Sequence, residues 1–244
     1  MSGERQDLKD RRGKRVFTGV DVFDRTIGGI PDGSLVIMTG NPGSGFDMFS
    51  QQMAYSKAST GECNVLYLNV ESTWEGIAAQ MLSKGWDINQ LMQDKRWRFL
   101  DGYTPRLNVR SGTVGSKVMT DLLSRLPKSL SPEDWSIIDS LSYYLANHDL
   151  KEMLGFVDDL MSEAREKGGL HLILVASGLH DPKVVNTLVH HADAQLHFSL
   201  DETQTEPVGT IRVIKLRKAE DVPRSIPFRI TNAGLSIETA SRIA

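Results

Sequence analysis

Gly40-Asn41-Pro42-Gly43-Ser44-Gly45-Phe46-Asp47 directly follows the apolar run Leu35–Thr39, and its reading decides the fold. It keeps both glycines of the phosphate-binding pattern G-x-x-x-x-G-K-S/T and departs from that pattern at the last two positions. In a working loop, backbone N–H groups and a helix N-terminus cradle phosphates, the lysine neutralises their charge and the hydroxyl holds Mg2+. Here Phe46 stands at the lysine position and Asp47 at the hydroxyl position. The cradle is retained and both charge-handling groups are lost.

The exchange moves the site by about two unit charges against a polyanion, each worth up to ~4 kcal/mol at contact distance with an effective dielectric near ~20. That is about three decades of affinity per charge. Tight Mg-ATP binding in the usual pose is therefore not expected. No tightly bound cofactor and no metal site are expected, and weak ATP or ADP with Mg2+ is the most the site should hold. Two routes back to affinity stay open: Asp47 ligating Mg2+ as a carboxylate, or a lysine such as Lys215 reaching in from a neighbouring copy. The opposite outcome is Phe46 folding into the vacated pocket as an apolar plug, which makes the loop structural.

Upstream, Arg5–Arg15 carries six basic residues against Asp7 and Asp10 without apolar periodicity, and reads as a flexible basic arm over residues 1–15. Residues 16–244 then read as a single domain. Downstream of the loop, Phe49 and Met53 suit an amphipathic helix ending at Gly61. A second strand, Asn64–Val70, leads to Glu71, with Ser72 and Glu75 at capping-box spacing for a helix. Trp97–Leu100 and Trp135–Asp139 read as further strands, and Leu150 to Ala164 as the strongest helical stripe, stopped by Gly168-Gly169. The uniformly apolar Leu170–Ser177 suits a central strand buried on both faces. Asp101–Ser116, rich in Gly, Thr and Arg and aperiodic, is read as a mobile loop. From Ala194 onward, short strands at Ala194–Leu200, Thr210–Arg217 and Pro227–Thr231 suggest an antiparallel extension. The whole pattern is α/β: a mostly parallel sheet with helices on both faces.

At 244 residues, with 40% hydrophobic and 24% charged content, the chain can bury one large core. A net charge of -3 gives no global attraction to nucleic acid or an anionic membrane. Cys63 is the single cysteine, which excludes an intramolecular disulfide framework. No apolar run approaches bilayer-spanning length and no leader pattern is evident, so no membrane role and a cytoplasmic location are expected.

The order of these pieces resembles the RecA-like P-loop NTPase family that includes the circadian-clock ATPase KaiC and its single-domain archaeal relatives. Gly19, Phe23 and Asp24 fit that family's G-x-x-x-L/F-D segment, and Gly28, Gly29, Pro31 and Gly33 its G-G-I/L-P-x-G turn. Leu66, Tyr67 and Glu71 fit L-Y-x-x-x-E, with Ser72 where many relatives carry a second glutamate. Gly85-Trp86-Asp87 and Ile138-Asp139-Ser140-Leu141 resemble its G-W-D and its Walker B strand, and Lys215-Leu216-Arg217 its K-x-R pair. The resemblance implies that Glu71 would polarise the attacking water, that Asp139 with Ser140 would hold Mg2+ through its hydration shell, and that Lys215 and Arg217 would reach a neighbouring subunit's phosphates. It also implies a homo- or hetero-oligomer with RecA- or KaiC-like homologues.

Three readings follow. The first is a pseudo-ATPase serving as a regulatory or assembly subunit, with Glu71 vestigial. The second is a slow, atypical ATPase using Glu71 and Asp139. The third is a nucleic-acid-binding recombinase paralogue in which Arg106, Arg110 and Lys117 line a channel with Tyr103 stacking on bases. His180 falls where such folds carry a phosphate sensor, the alternative being a loop-end histidine bonded to backbone. The tryptophans at 74, 86, 97 and 135 adjoin apolar runs and are read as packing residues.

Overall fold

The computed structural model describes residues 13–109, 113–201, 208–219, 222–223 and 225–238. Thr39 and Gly40 close a fully buried strand, β3 (Ser34–Gly40), and the chain turns through the glycine-rich loop into α2 (Phe46–Thr60). Before it come β1 (Arg15–Val16), α1 (Asp21–Ile27) and β2 (Ile30–Pro31), with β1 and β2 antiparallel. The Gly19–Asp24 motif has a local reason. The buried Asp24 carboxylate accepts from the Thr18 amide and hydroxyl and from the Gly19 amide, pinning the turn that starts α1. Arg15, last residue of the expected arm, is fixed within the fold: its guanidinium donates to the carbonyls of Gly28, Gly29 and Lys218. Residues 1–12 of that arm lie outside the described residues.

After α2 run β4 (Val65–Asn69), α3 (Trp74–Ser83), α4 (Asn89–Gln93) and β5 (Trp97–Asp101), then α5 (Tyr103–Val109) and α6 (Thr113–Arg125). The stretch read as a mobile loop is thus largely helical. Asp101 starts it, its carboxylate accepting from the amides of Tyr103 and Thr104, and buried Met119 and Leu123 seat α6 on the core. The helix at Trp74 is capped by the Thr73 side chain, which accepts from the Gly76 amide, rather than by Ser72. Next come β6 (Trp135–Asp139), α7 (Leu141–Asn147), α8 (Leu150–Lys167), β7 (Leu170–Ala176) and α9 (Pro182–His191). The chain ends with β8 (Ala194–Asp201), β9 (Val208–Leu216), β10 (Ser225–Thr231) and β11 (Gly234–Ile237).

Nine strands form one sheet in the order β11-β10-β9-β8-β3-β7-β6-β4-β5. Pairs from β8 through β5 are parallel; β8–β9, β9–β10 and β10–β11 are antiparallel. The antiparallel part therefore starts one strand later than expected, since β8 pairs parallel with β3.

Strand alternation splits the core in two. Val36 and Met38 of β3 face one cluster with Phe49 and Met53 of α2. Leu35 and Ile37 face another with Val157 and Leu160 of α8 and Met119 of α6. Trp86, Trp97 and Trp135 are buried in the first cluster, whereas Trp74 is partly exposed beside Phe99. Among the described residues no helix is long and apolar enough to cross a membrane.

Candidate functional site

The parallel strands bring their C-terminal ends to one edge, where ligands bind in folds of this kind. Gly40 ends β3, Asn69 ends β4 two residues before Glu71, and Asp139 ends β6 beside Asn69. The sequence-predicted loop, Glu71, Asp139 and Ser140 are thus assembled at a single edge.

The loop is tied at its base. Ser177 donates its amide to the Gly40 carbonyl at 2.8 Å, and Ser44 its amide to the Asn41 carbonyl at 3.0 Å. Asn41, Pro42 and Gly43 form an exposed tip, while Ser44, Gly45 and Phe46 are buried. Gly45 caps α2 with φ 84°, a left-handed conformation, and a Cβ there would lie 3.2 Å from Leu235 and 3.4 Å from Ile230 of the β10–β11 hairpin. The left-handed φ favours glycine there, and the hairpin side chains leave little room beside it. Among the described residues nothing accepts from the amides of Gly43, Gly45, Phe46 or Asp47, so these four donors stand without a protein acceptor.

Phe46 occupies the ground beneath the loop. Its side chain is 8% exposed, belongs to the core cluster of α2, and lies over the loop's base: a Cβ built on Gly40 would come within 2.8 Å of Phe46 Cδ1 and 2.3 Å of Ser44 Oγ. The Ser44 hydroxyl is buried there with no hydrogen-bond partner. An aromatic ring that would be costly to leave in water has turned inward, where a lysine would have had to carry its charge toward solvent or ligand.

The carboxylates form a second layer. Tyr67 donates its hydroxyl to Asp139 Oδ2 at 2.6 Å and accepts from Gln51 Nε2 at 3.2 Å. Burial pushes the Asp139 carboxyl up to about 7; the Tyr67 hydrogen bond opposes this, and the charges of Asp47 and Glu71 add to it. Tyr67 is driven well above its ordinary range, first by burial and then by the charge of Asp139. A normal loop lysine would offset this negative charge, and no cation stands at that position. Asp47 contributes charge at the first turn of α2, but among the described residues no group of three or more His, Cys, Asp or Glu side chains converges as metal ligands.

Glu71 is engaged. Arg106 of α5 donates to Glu71 Oε2 at 2.5 Å and to the Val70 carbonyl at 2.9 Å, with its guanidinium 5.2 Å from the centre of the Tyr143 ring. Ser140 donates its hydroxyl to Glu71 Oε1 at 3.3 Å. Both oxygens of the residue expected to orient water are therefore held by protein. Arg106, one of the residues read as lining a channel, has its cation paired with Glu71 and set against the Tyr143 ring. Tyr103 begins α5, Lys117 is exposed on α6, and Arg110 lies outside the described residues. The Arg106 clasp was not visible in the sequence, because thirty-five residues and an intervening strand separate Arg106 from Glu71.

Lys215 and Arg217 stand apart from their own chain's loop. Lys215 registers with Gln195, which registers with Ile37, three residues before Gly40 and so about 10 Å back along the strand. Lys215 donates to the carbonyls of Val189 and His190 at the end of α9, and Arg217 to Asp193. His180, on the loop after β7, has a buried Nε2 with no partner, so the expected backbone bond is absent at that nitrogen. Burial lowers its pKa.

A family model described as the KaiC ATPase matches residues 16–242. The chain belongs to the KaiC ATPase family. A UPF0273 protein from Pyrococcus furiosus is 30% identical, with 92% of this chain and 94% of that protein covered. Another UPF0273 protein, from Aeropyrum pernix, is 24% identical over 91% and 93%. Among solved structures, a KaiC-like protein from Pyrococcus horikoshii OT3 superimposes with a TM-score of 0.75 at 20% identity, covering 93% of this chain and 99% of that one. The flagellar accessory protein FlaH from Methanocaldococcus jannaschii gives 0.73 at 19% identity with the same coverage. These structures show the fold, a KaiC-like RecA fold with antiparallel C-terminal strands.

Proposed function

We propose that this KaiC-family chain is a pseudo-ATPase, a regulatory or assembly subunit that binds ATP weakly or not at all. The observation that carries the proposal is Phe46, buried over Gly40 in place of the phosphate-neutralising lysine. The clasp of Arg106 on Glu71 supports it, since it commits to protein partners the carboxylate that would have to orient a water. The rival reading, a slow ATPase using Glu71 and Asp139, requires Arg106 to release Glu71 and Asp139 to ionise beside Asp47.

The test is native mass spectrometry and acid-extracted nucleotide content of the protein purified from its own cells. The proposal expects a complex with a family member bearing an intact loop, and no nucleotide attributable to this chain. A homo-oligomer carrying stoichiometric ADP overturns it.

A further inference from the structure

Helix α5 (Tyr103–Val109) has seven residues, and isolated helices shorter than ~12–15 residues are marginal in water. It therefore depends on contacts with the rest of the protein. From Tyr103 to Leu107 none of its side chains is buried, and Leu107 is 52% exposed. Its start is pinned twice. The Asp101 carboxylate accepts from the amides of Tyr103 and Thr104, and the Gly102 amide donates to the Asn69 carbonyl at the end of β4 at 2.8 Å. One turn further on, Arg106 supplies the tie back to the strand ends.

A single guanidinium makes that tie to two other segments. Arg106 donates to Glu71 Oε2 and to the Val70 carbonyl just beyond β4, and lies against the Tyr143 ring of α7. Ser140, between β6 and α7, donates to the other Glu71 oxygen. The Glu71 side chain is 44% exposed and that of Arg106 32%, so water and ions reach both members and the pair can part without opening the core. Helix α6 has a seat of its own through the buried Met119 and Leu123, and stays in place when the pair parts.

We infer that the Arg106–Glu71 pair is a latch that couples the candidate site to α5: closed, it occupies Glu71 and seats the helix, and open, it releases both together. Because one contact serves both ends, the coupling is reciprocal. A group that engages Glu71 in the open form loosens α5, and a partner that binds the loosened α5 makes Glu71 available. This gives Glu71 a role that does not need the lysine absent from the glycine-rich loop. The latch is built from this chain's own side chains, so it holds or fails whether or not that loop binds nucleotide.

The test is hydrogen exchange read by mass spectrometry on the intact chain at low and high ionic strength, beside Glu71→Gln, Arg106→Gln and Arg106→Lys. In the parent, exchange across 102–109 should quicken with salt, since a solvent-reached ion pair is screened. In Glu71→Gln and Arg106→Gln it should be about threefold to fivefold faster already at low salt, the change that matches a partly exposed ion pair, and indifferent to added salt. Combining the two substitutions should add little to either one, as expected of partners in one contact. Arg106→Lys keeps the charge but loses the planar fork, and should fall between parent and Arg106→Gln. Exchange across β4, β6 and 119–125 should match the parent in every variant, which separates an opened latch from a loosened domain. An α5 whose exchange ignores both salt and Glu71→Gln overturns the latch. So does faster exchange spread evenly over α5, α6 and the sheet.

Discussion

Replacing Phe46 by alanine reports directly on whether the ring plugs the loop. The side chain is 8% exposed and packs with the cluster that includes Phe49 and Phe198, so its loss removes buried apolar area and leaves a cavity under Gly40. Core Phe→Ala exchanges cost ~3–5 kcal/mol, and the partial exposure of Phe46 places it near ~3 kcal/mol. For a chain of this size each kcal/mol lowers Tm by about 2–4 °C, so a fall of roughly 10 °C is expected. Phe46→Leu keeps most of the volume and should cost about 1 kcal/mol. Urea unfolding with calorimetric Tm on the three proteins is the assay. A Phe46→Ala loss below ~1 kcal/mol would mean that the ring is idle, and would refute the account of the loop as filled and structural.

Asp139→Asn tests the buried acid. A carboxyl raised to about 7 from an unfolded value near 3.8 holds its proton in the native state over that window, so native stability falls as pH rises from about 4 to 7 and is level above. The asparagine variant should flatten that fall, gaining on the parent between pH 5 and pH 8 in urea midpoints; an unchanged pH slope would contradict the raised carboxyl. Arg106→Ala removes a partly exposed ion pair and the contact with Tyr143, and should lower stability by about 1 kcal/mol in urea unfolding. It should not create ATP turnover, because the freed Glu71 still lacks a phosphate-neutralising lysine; measurable turnover in that variant would mean that Arg106 alone holds the site silent.

The sheet was legible because each parallel strand is a short apolar run bounded by glycines or acids: Ser34–Gly40, Trp135–Asp139 and Leu170–Ala176 all fell where the pattern put them. The loop's departure from the phosphate-binding pattern was legible too, since Phe46 and Asp47 are read against a fixed spacing. The helices α5 and α6 were not. Their start depends on the Asp101 carboxylate accepting from two amides, and their seat on Met119 and Leu123, in a stretch whose glycines and threonines mask the period. The clasp of Arg106 on Glu71 arises from contacts between distant segments, which no local pattern encodes.

The central claim is that this chain's loop has lost phosphate and metal affinity while keeping its backbone. Calorimetric titration of Mg-ATP into the unaltered protein, beside the Phe46→Lys/Asp47→Thr variant, tests it most directly. The account predicts no saturable binding to the unaltered chain at micromolar nucleotide and a gain of several decades in the variant, from the two restored charges. Micromolar binding by the unaltered chain, with turnover abolished by Glu71→Gln, would contradict it.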